Sequence, residues 1–257
     1  MKTLEPISFD VVIPSAGKGR RLGGLVPKQY LSLNGLPLLS HTLERVFRFN
    51  PRRVILVVSE DDELWRDVPG TKDCQIVYGG ATRAESVLNG LRALVSTEAV
   101  AASNWVMVHD AARPCFREGD VLRLFSAVGG HEVGGILGAK IVETVKYVTG
   151  NKIQQTEDRE KLWLAQTPQL FRRELLTHAL TEALSVGASD KDTDSRLSID
   201  QITDESSALE QLGYMPLMVE GSKDNIKVTN SADLDLAAYF LRAQQVETEK
   251  TRGELTS

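Results

Sequence analysis

VVIPSAGKGRRLGGLVPKQY, Val11 to Tyr30, sets a short β-branched run directly ahead of a loop rich in glycine and cations. VVIP reads as a buried strand, and Gly17 and Gly19 let backbone N–H groups come close to an anion just past its end. Lys18, Arg20, Arg21 and Lys28 crowd into the same loop, although the chain as a whole is acidic. Guanidinium groups grip phosphate oxygens in pairs and lysine adds a point charge, so the cluster suits a triphosphate. Two familiar nucleotide loops are excluded. No Gly-Lys-Ser/Thr triplet follows at the Walker offset, and Gly17-Lys18-Gly19-Arg20-Arg21-Leu22 lacks the third glycine of the dinucleotide fingerprint.

Outward from this loop the pattern alternates between short apolar runs and stretches of helical period, the mark of βαβ units around a mostly parallel sheet. Leu36, Leu39, Leu43, Val46 and Phe47 share a helix face, and Arg53 to Ser59 reads as a central strand. Ile76 to Tyr78 is a strand closed by Gly79-Gly80, followed by a helix on Ala84, Val87, Leu88, Leu91, Leu94 and Val95. WVMVH, Trp105 to His109, runs into DAARP, so Asp110 and Arg113 stand past a strand's C-terminal end, where open parallel sheets bind ligands. KIVETVKYVTGNKIQQT, Lys140 to Thr156, alternates around Thr149-Gly150-Asn151 and predicts a β-hairpin that leaves the main sheet. A helix on Leu175 to Leu184, a polar surface loop over Ala188 to Gln201 and a short helix from Thr203 through Leu209 come next. MPLMVEG and DNIKVT read as the last strands and Ser231 to Leu241 as the closing helix. The expected organisation is a single domain over 1–241, with 140–157 as an excursion and 242–257 as a disordered, charged tail.

The 257 residues are 42% hydrophobic and 25% charged, enough for a real core and against global disorder. With 30 Lys and Arg against 35 Asp and Glu, the net charge of -5 argues against a broad nucleic-acid footprint. Cys74 and Cys115 form no CxxC or Cys/His ligand pattern, which excludes a disulfide framework. The N-terminus lacks the charged start and apolar run of a signal peptide, and no uncharged apolar stretch is long enough to span a bilayer. A cytoplasmic protein with neither nucleic-acid nor membrane partner is expected.

In order along the chain stand PSAGKGRRL, PKQYL, GGATRAESVLNGL, VHDAARP, Asp158-Arg159, QTPQ, TDESSALE and DNIKVT. With this ordered set the sequence resembles, over about residues 9 to 241, the 2-C-methyl-D-erythritol 4-phosphate cytidylyltransferases of the non-mevalonate isoprenoid pathway. They belong to the nucleotidyltransferases of Rossmann-like α/β fold. The resemblance implies a mostly parallel twisted sheet flanked by helices, with a protruding β-hairpin arm. It implies transfer of CMP from CTP to methylerythritol phosphate with a divalent cation such as Mg²⁺. In its terms Arg21, Lys28 and Lys227 stabilise the transition state. Ser15, Ala16, Gly17, Gly19, Gly80, Ser86 and Asp110 take the nucleotide, Asp110 also facing the metal. Arg113, Thr144, Arg159, Thr167 and Thr203 take the sugar phosphate. The hairpin is implied to cross to a second subunit, so that a homodimer shares its sites through Arg113 and Thr144. One departure is Ala81, where the family commonly has an acid after the second glycine.

The acceptor phosphate is already anionic at neutral pH, its second pKa being near 6, so the absence of a Ser/His/Asp array is no objection to this chemistry. Three rivals stay open at this point: a ribitol-5-phosphate cytidylyltransferase, a non-catalytic nucleotide-binding module, and a Rossmann dehydrogenase.

Overall fold

A computed structural model describes residues 7–17, 26–94, 105–186 and 202–255. In chain order the elements are β1 (Phe9–Pro14), β2 (Ser32–Leu33), β3 (Leu36–Pro37), α1 (Leu38–Phe47), β4 (Val54–Val58), β5 (Gln75–Tyr78), α2 (Arg83–Ala93), β6 (Trp105–Val108), α3 (Glu118–Val128) and β7 (Gly134–Lys140). There follow β8 (Lys146–Thr149), β9 (Lys152–Thr156), β10 (Trp163–Arg172), α4 (Arg173–Val186), α5 (Glu205–Gln211), β11 (Leu217–Glu220) and α6 (Ser231–Leu255).

The run VVI of β1 has no exposed surface because the strand lies inside a seven-stranded sheet of order β11-β7-β10-β6-β1-β4-β5. Val12 faces Ile55 of β4 on one side and Val108 of β6 on the other. Alternation along the strand splits the core into two layers. Val11 and Ile13 point to a cluster with Leu39, Leu43 and Val46 of α1 and Leu124 of α3. Val12 points to the opposite cluster, with Val87 and Leu91 of α2 and Leu176 and Leu180 of α4. A strand that is apolar at every position therefore needs helices on both faces.

Every neighbouring pair in the sheet is parallel except those made by β10, which runs against both β6 and β7. The sequence reading anticipates β1, β4, β5, β6, β11 and the helices on either side, but assigns no element to α3, β7 or β10. The reason is local composition. β7 is GGILGAK, and three glycines give it little intrinsic strand preference. Pairing with β10 and β11 imposes the strand from outside.

DNIKVT forms no strand, contrary to the expectation for it. Its apolar residue Val228 instead sinks into a third cluster with Leu33, Leu38, Cys115, Ala237 and Leu241, and the Val228 N–H donates to the Ala112 carbonyl at 2.8 Å. The closing helix also differs, running to Leu255 rather than ending at Leu241. Its start is capped reciprocally: Asp233 accepts from the Thr229 and Asn230 N–H groups, and Asn230 Oδ1 accepts from the Asp233 N–H. Beyond Leu241, Gln244 is buried and donates to the Cys115 carbonyl at 2.9 Å, and Glu247 pairs with Arg117 at 2.7 Å. The segment expected as a disordered tail thus carries helix, docked at its first turns. The span 188–201, expected as a surface loop, lies outside the described residues.

The hairpin turn falls at Thr149-Gly150-Asn151, with Gly150 at φ 58° between β8 and β9. These strands pair with each other and not with the main sheet, and every residue in them is exposed. Among the described residues no helix is long and apolar enough to cross a membrane.

Gly134 begins β7 at φ +127°, and a Cβ there would lie 2.2 Å from the Leu170 carbonyl oxygen. Gly134→Ala is therefore expected to destabilise the protein by about 3 kcal/mol, from backbone strain and overpacking together. Urea unfolding of the two proteins measures it, and equal midpoints would contradict the close approach.

Candidate functional site

The C-terminal ends of β1, β5 and β6 deliver three loops to one edge of the sheet, around a cavity of ≈ 210 Å³. Ser15, Ala16 and Gly17 leave β1 along its wall, fixed by the Ser15 N–H donating to the Val57 carbonyl at 2.7 Å. Gln29 is buried and donates its Nε2 back to the Ser15 carbonyl at 2.9 Å, so the two ends of the glycine loop are tied together. Gly19 and Arg21, both expected in the site, lie outside the described residues. Lys28 Nζ reaches the Val228 carbonyl at 3.2 Å, across a sequence separation that only tertiary structure closes.

Gly79 and Gly80 make the opposite wall by necessity. A Cβ on Gly79 would stand 2.6 Å from both Ala16 Cβ and Ser86 Oγ, and one on Gly80 would stand 2.5 Å from Glu85 Cβ. Only bare backbone fits where the β5 loop, the β1 loop and α2 meet. Thr82 and Glu85 close a capping box on α2, and Glu85 also accepts from the Ala81 N–H at 2.6 Å. Ser86 Oγ donates to the Thr82 carbonyl and accepts from the Gly80 N–H at 3.2 Å. It holds the wall in shape.

The floor is set by Asp110, just past β6. Its Oδ1 accepts from Arg83 Nη2 at 2.9 Å, and its Oδ2 pairs with Lys227 Nζ at 2.8 Å and more distantly with Arg113 Nε at 3.7 Å. Arg83 turns its other edge to the fully buried Glu205 on α5, with Nη1 at 2.6 Å from Oε1. Burial alone would raise the Asp110 pKa. Arg83 first, then Lys227 and Arg113, outweigh it and hold the carboxyl well below the usual carboxylate range. Glu205 is buried more completely, and that burial pushes its pKa up despite the pairing with Arg83. Asp110 is the one carboxylate on the cavity wall among the described residues, and no group of three potential metal-ligating side chains occurs among them.

Behind this floor lies a fixed chain of hydrogen bonds. His109 Nε2 is 3.0 Å from the Arg113 carbonyl, which can only accept, so Nε2 carries the proton. Nδ1 is then an acceptor and takes the Thr167 hydroxyl at 3.0 Å, while Thr167 Oγ1 accepts the Asp110 N–H at 3.0 Å. Burial pushes the His109 pKa down to about 4. The imidazole is neutral, and it orients Thr167.

Ser15, Ala16, Gly17, Lys28, Gly80, Ser86, Asp110 and Lys227 are therefore brought to one cavity, as the sequence reading expects. Arg113 and Thr167 lie against Asp110. Arg113 is spent inside its own chain, donating to the Asn225 carbonyl at 2.8 Å and the Ala165 carbonyl at 3.3 Å. Thr144 and Arg159 are at the foot of the hairpin, both exposed, with Arg159 donating to the Val142 carbonyl. Thr203 precedes the Asp204 cap of α5, its N–H donating to Ser207 Oγ at 3.1 Å. None of these last three lines the cavity.

Arg83 and Glu205 receive no role in the sequence reading, although both stand inside quoted motifs. One signal was available. Arg83 occupies the first helical position of α2, where the helix dipole disfavours a cation, and such a placement calls for anionic partners elsewhere.

A mostly parallel sheet, a glycine loop after its inner strand and a cavity lined by Lys28, Lys227 and one ionised carboxylate define an α/β nucleotidyltransferase. Comparison with known proteins narrows the class. The sequence model of 2-C-methyl-D-erythritol 4-phosphate cytidylyltransferase matches residues 9–243. The enzyme so named in Aliivibrio fischeri strain ES114 is 40% identical over 253 residues, covering 97% of this chain and 100% of that protein. Its namesake in Klebsiella pneumoniae is 44% identical over 235 residues, 90% of this chain and 92% of the relative. The crystal structure of the Francisella tularensis enzyme of the same name superposes with TM-score 0.73 at 34% identity, over 91% of this chain and 99% of that one. A structure described as 4-diphosphocytidyl-2C-methyl-D-erythritol synthase gives TM-score 0.74 at 33% identity, over 91% of this chain and 98% of that one. The chain belongs to the 2-C-methyl-D-erythritol 4-phosphate cytidylyltransferase family.

The buried imidazole makes stability depend on pH with a definite sign. His109 titrates near its ordinary value of 6.5 when unfolded and about 4 when folded, so the folded state loses stability as pH falls through that window. Between pH 7.5 and 5 the loss is expected to be about 2 kcal/mol. Urea unfolding at both pH values, compared with His109→Gln, isolates it; the variant should lack this component, and equal slopes would show that His109 does not carry it.

Proposed function

We propose that this chain transfers CMP from CTP to 2-C-methyl-D-erythritol 4-phosphate, releasing pyrophosphate. The observation that carries the reading is the convergence of Lys28, Lys227 and Asp110 on the cavity bounded by the β1 glycine loop, in a chain of this family. An acceptor phosphate oxygen attacks the α-phosphorus of CTP and forms the new P–O bond. The bond from that phosphorus to the α–β bridging oxygen breaks, and pyrophosphate departs with the electron pair. The attacking oxygen is already anionic, so no protein base is needed, in keeping with a His109 that is buried and fully engaged.

Catalysis then consists of positioning and of charge stabilisation. Lys28 and Lys227 face the phosphates, joined by Arg21 of the loop. Backbone groups of Ser15, Ala16, Gly17 and Gly19 wrap the triphosphate, with Gly80 and Ser86 beside the nucleoside. Mg²⁺ fits a site that offers one carboxylate, because it takes one or two carboxylates and completes its shell with water and phosphate oxygens. Asp110 would hold it, and the bound ion would offset charge on the triphosphate. Arg159 and Lys227 neutralise the acceptor phosphate, while Thr144, Thr167 and Thr203 meet its hydroxyls. Thr167 can offer only its remaining lone pair, since its proton is given to His109. The exposed hairpin carries Thr144 towards a second subunit of a homodimer, and Arg113, held against Asp110, supports the site from within.

Pyrophosphate release with CTP and Mg²⁺ tests the reaction, comparing methylerythritol 4-phosphate with ribitol 5-phosphate and with no acceptor. Release with methylerythritol phosphate alone is expected. Release with ribitol phosphate alone would overturn the acceptor, and silence with both would favour a nucleotide-binding module. Lys28→Ala should lower kcat by about 10²-fold or more while changing CTP affinity much less. Calorimetry beside the rate assay separates the two effects, and an unchanged kcat would remove Lys28 from the mechanism.

A further inference from the structure

Arg83 stands on the cavity wall, yet its guanidinium is spent on protein. Nε and Nη2 donate to Asp110 Oδ1 at 3.1 and 2.9 Å, and Nη1 and Nη2 donate to the two Glu205 oxygens at 2.6 and 3.1 Å. Those four bonds leave a single N–H on Nη1, too little for the paired grip by which arginine holds a phosphate. An arginine turned away from the nucleotide in this manner acts through what it holds.

We propose that Arg83 is a positioning residue that, braced on the buried Glu205, holds the Oδ1 edge of Asp110 so that the Oδ2 edge stays turned towards Lys227 and the cavity. The geometry supports an asymmetric clasp. Oδ1 takes both Arg83 donors and Oδ2 takes Lys227. The Asp110 N–H is fixed separately by Thr167, so the backbone and one carboxylate oxygen are both pinned. Asp110 can then rotate only by breaking its ion pair with Arg83 and leaving a buried charge uncompensated. The groups facing Asp110 are Arg83 from α2, Lys227 from the segment after β11, and Arg113 and His109 from its own turn; Glu205 of α5 acts through Arg83.

Glu205 makes the clasp specific rather than merely electrostatic. A cation at position 83 could neutralise Asp110 from many directions. A second carboxylate behind it, fully buried and hydrogen-bonded to the same fork, leaves the guanidinium one orientation. Lysine has the charge but not the fork, and cannot bridge both carboxylates in this way.

The inference rests on the cytidylyl-transfer reading for its kinetic consequence, and on geometry alone for its spectroscopic one. Arg83→Met by itself would leave Glu205 buried without its cation and could fail to fold. The informative protein is the full chain carrying Arg83→Met with Glu205→Gln, alongside Arg83→Lys. In the double variant kcat is expected to fall on the order of 10²-fold while the KM for CTP changes much less, because the carboxylate is no longer held in one orientation. Arg83→Lys keeps the charge and should still lose kcat, separating charge from orientation. A folded double variant with wild-type kcat would overturn the proposal. The Asp110 side chain, followed by NMR relaxation in labelled protein at neutral pH, should be rigid in the wild type and more mobile in the double variant. Unchanged side-chain order at Asp110 overturns the proposal whatever the turnover. Absence of pyrophosphate release by the wild type overturns the reaction instead, and leaves the NMR result to decide on Arg83.

Discussion

An ionised carboxylate buried at the end of a strand is the constraint on which the site depends. Asp110 can remain charged in that place only because cations from separate parts of the chain meet there: Arg83 from α2, Lys227 from the segment after β11, and Arg113 from its own turn. Each lies far from the others in sequence, so the ion cluster exists only when the sheet and its helices are assembled. A site organised this way is a test of folding as much as an instrument of chemistry. Its members stabilise one another in the low dielectric of the cleft edge, and removing one leaves another exposed to the full cost of burial.

Most of the sheet was legible in the sequence because the signals were redundant. The run before the glycine loop, the central strand over Val54 to Val58 and the helix on Val87 and Leu91 each combine period, composition and a loop residue that explains its neighbour. β7 and β10 were not legible. β7 is glycine-rich, and β10 carries the polar run QTPQ at its middle, which reads as a motif rather than as a strand. DNIKVT misled in the other direction, its alternation serving burial against α6 instead of strand pairing.

The site divides along similar lines. Lys28, Asp110 and Lys227 could be expected together because resemblance carries them together, and the cavity agrees. Arg83 and Glu205 are joined only by a tertiary contact across 122 positions, which no local pattern encodes. Thr167 shows a subtler limit. Its identity is readable, but the direction in which its hydroxyl points is decided by the tautomer of His109, and that in turn by the Arg113 carbonyl.

The reversal of β10 has a consequence for how the molecule can be taken apart. Lys140 at the end of β7 is paired with Trp163 at the start of β10, and the Ile141 N–H meets the Leu162 carbonyl at 3.3 Å. Everything between, hairpin included, is a detour whose two ends are neighbours on the sheet. Its length enters the free energy only as the logarithm of loop size, and no strand register depends on it. The span 141–162 is in this sense a detachable cassette on a fixed frame, and its exchange between relatives would leave the seven strands in place.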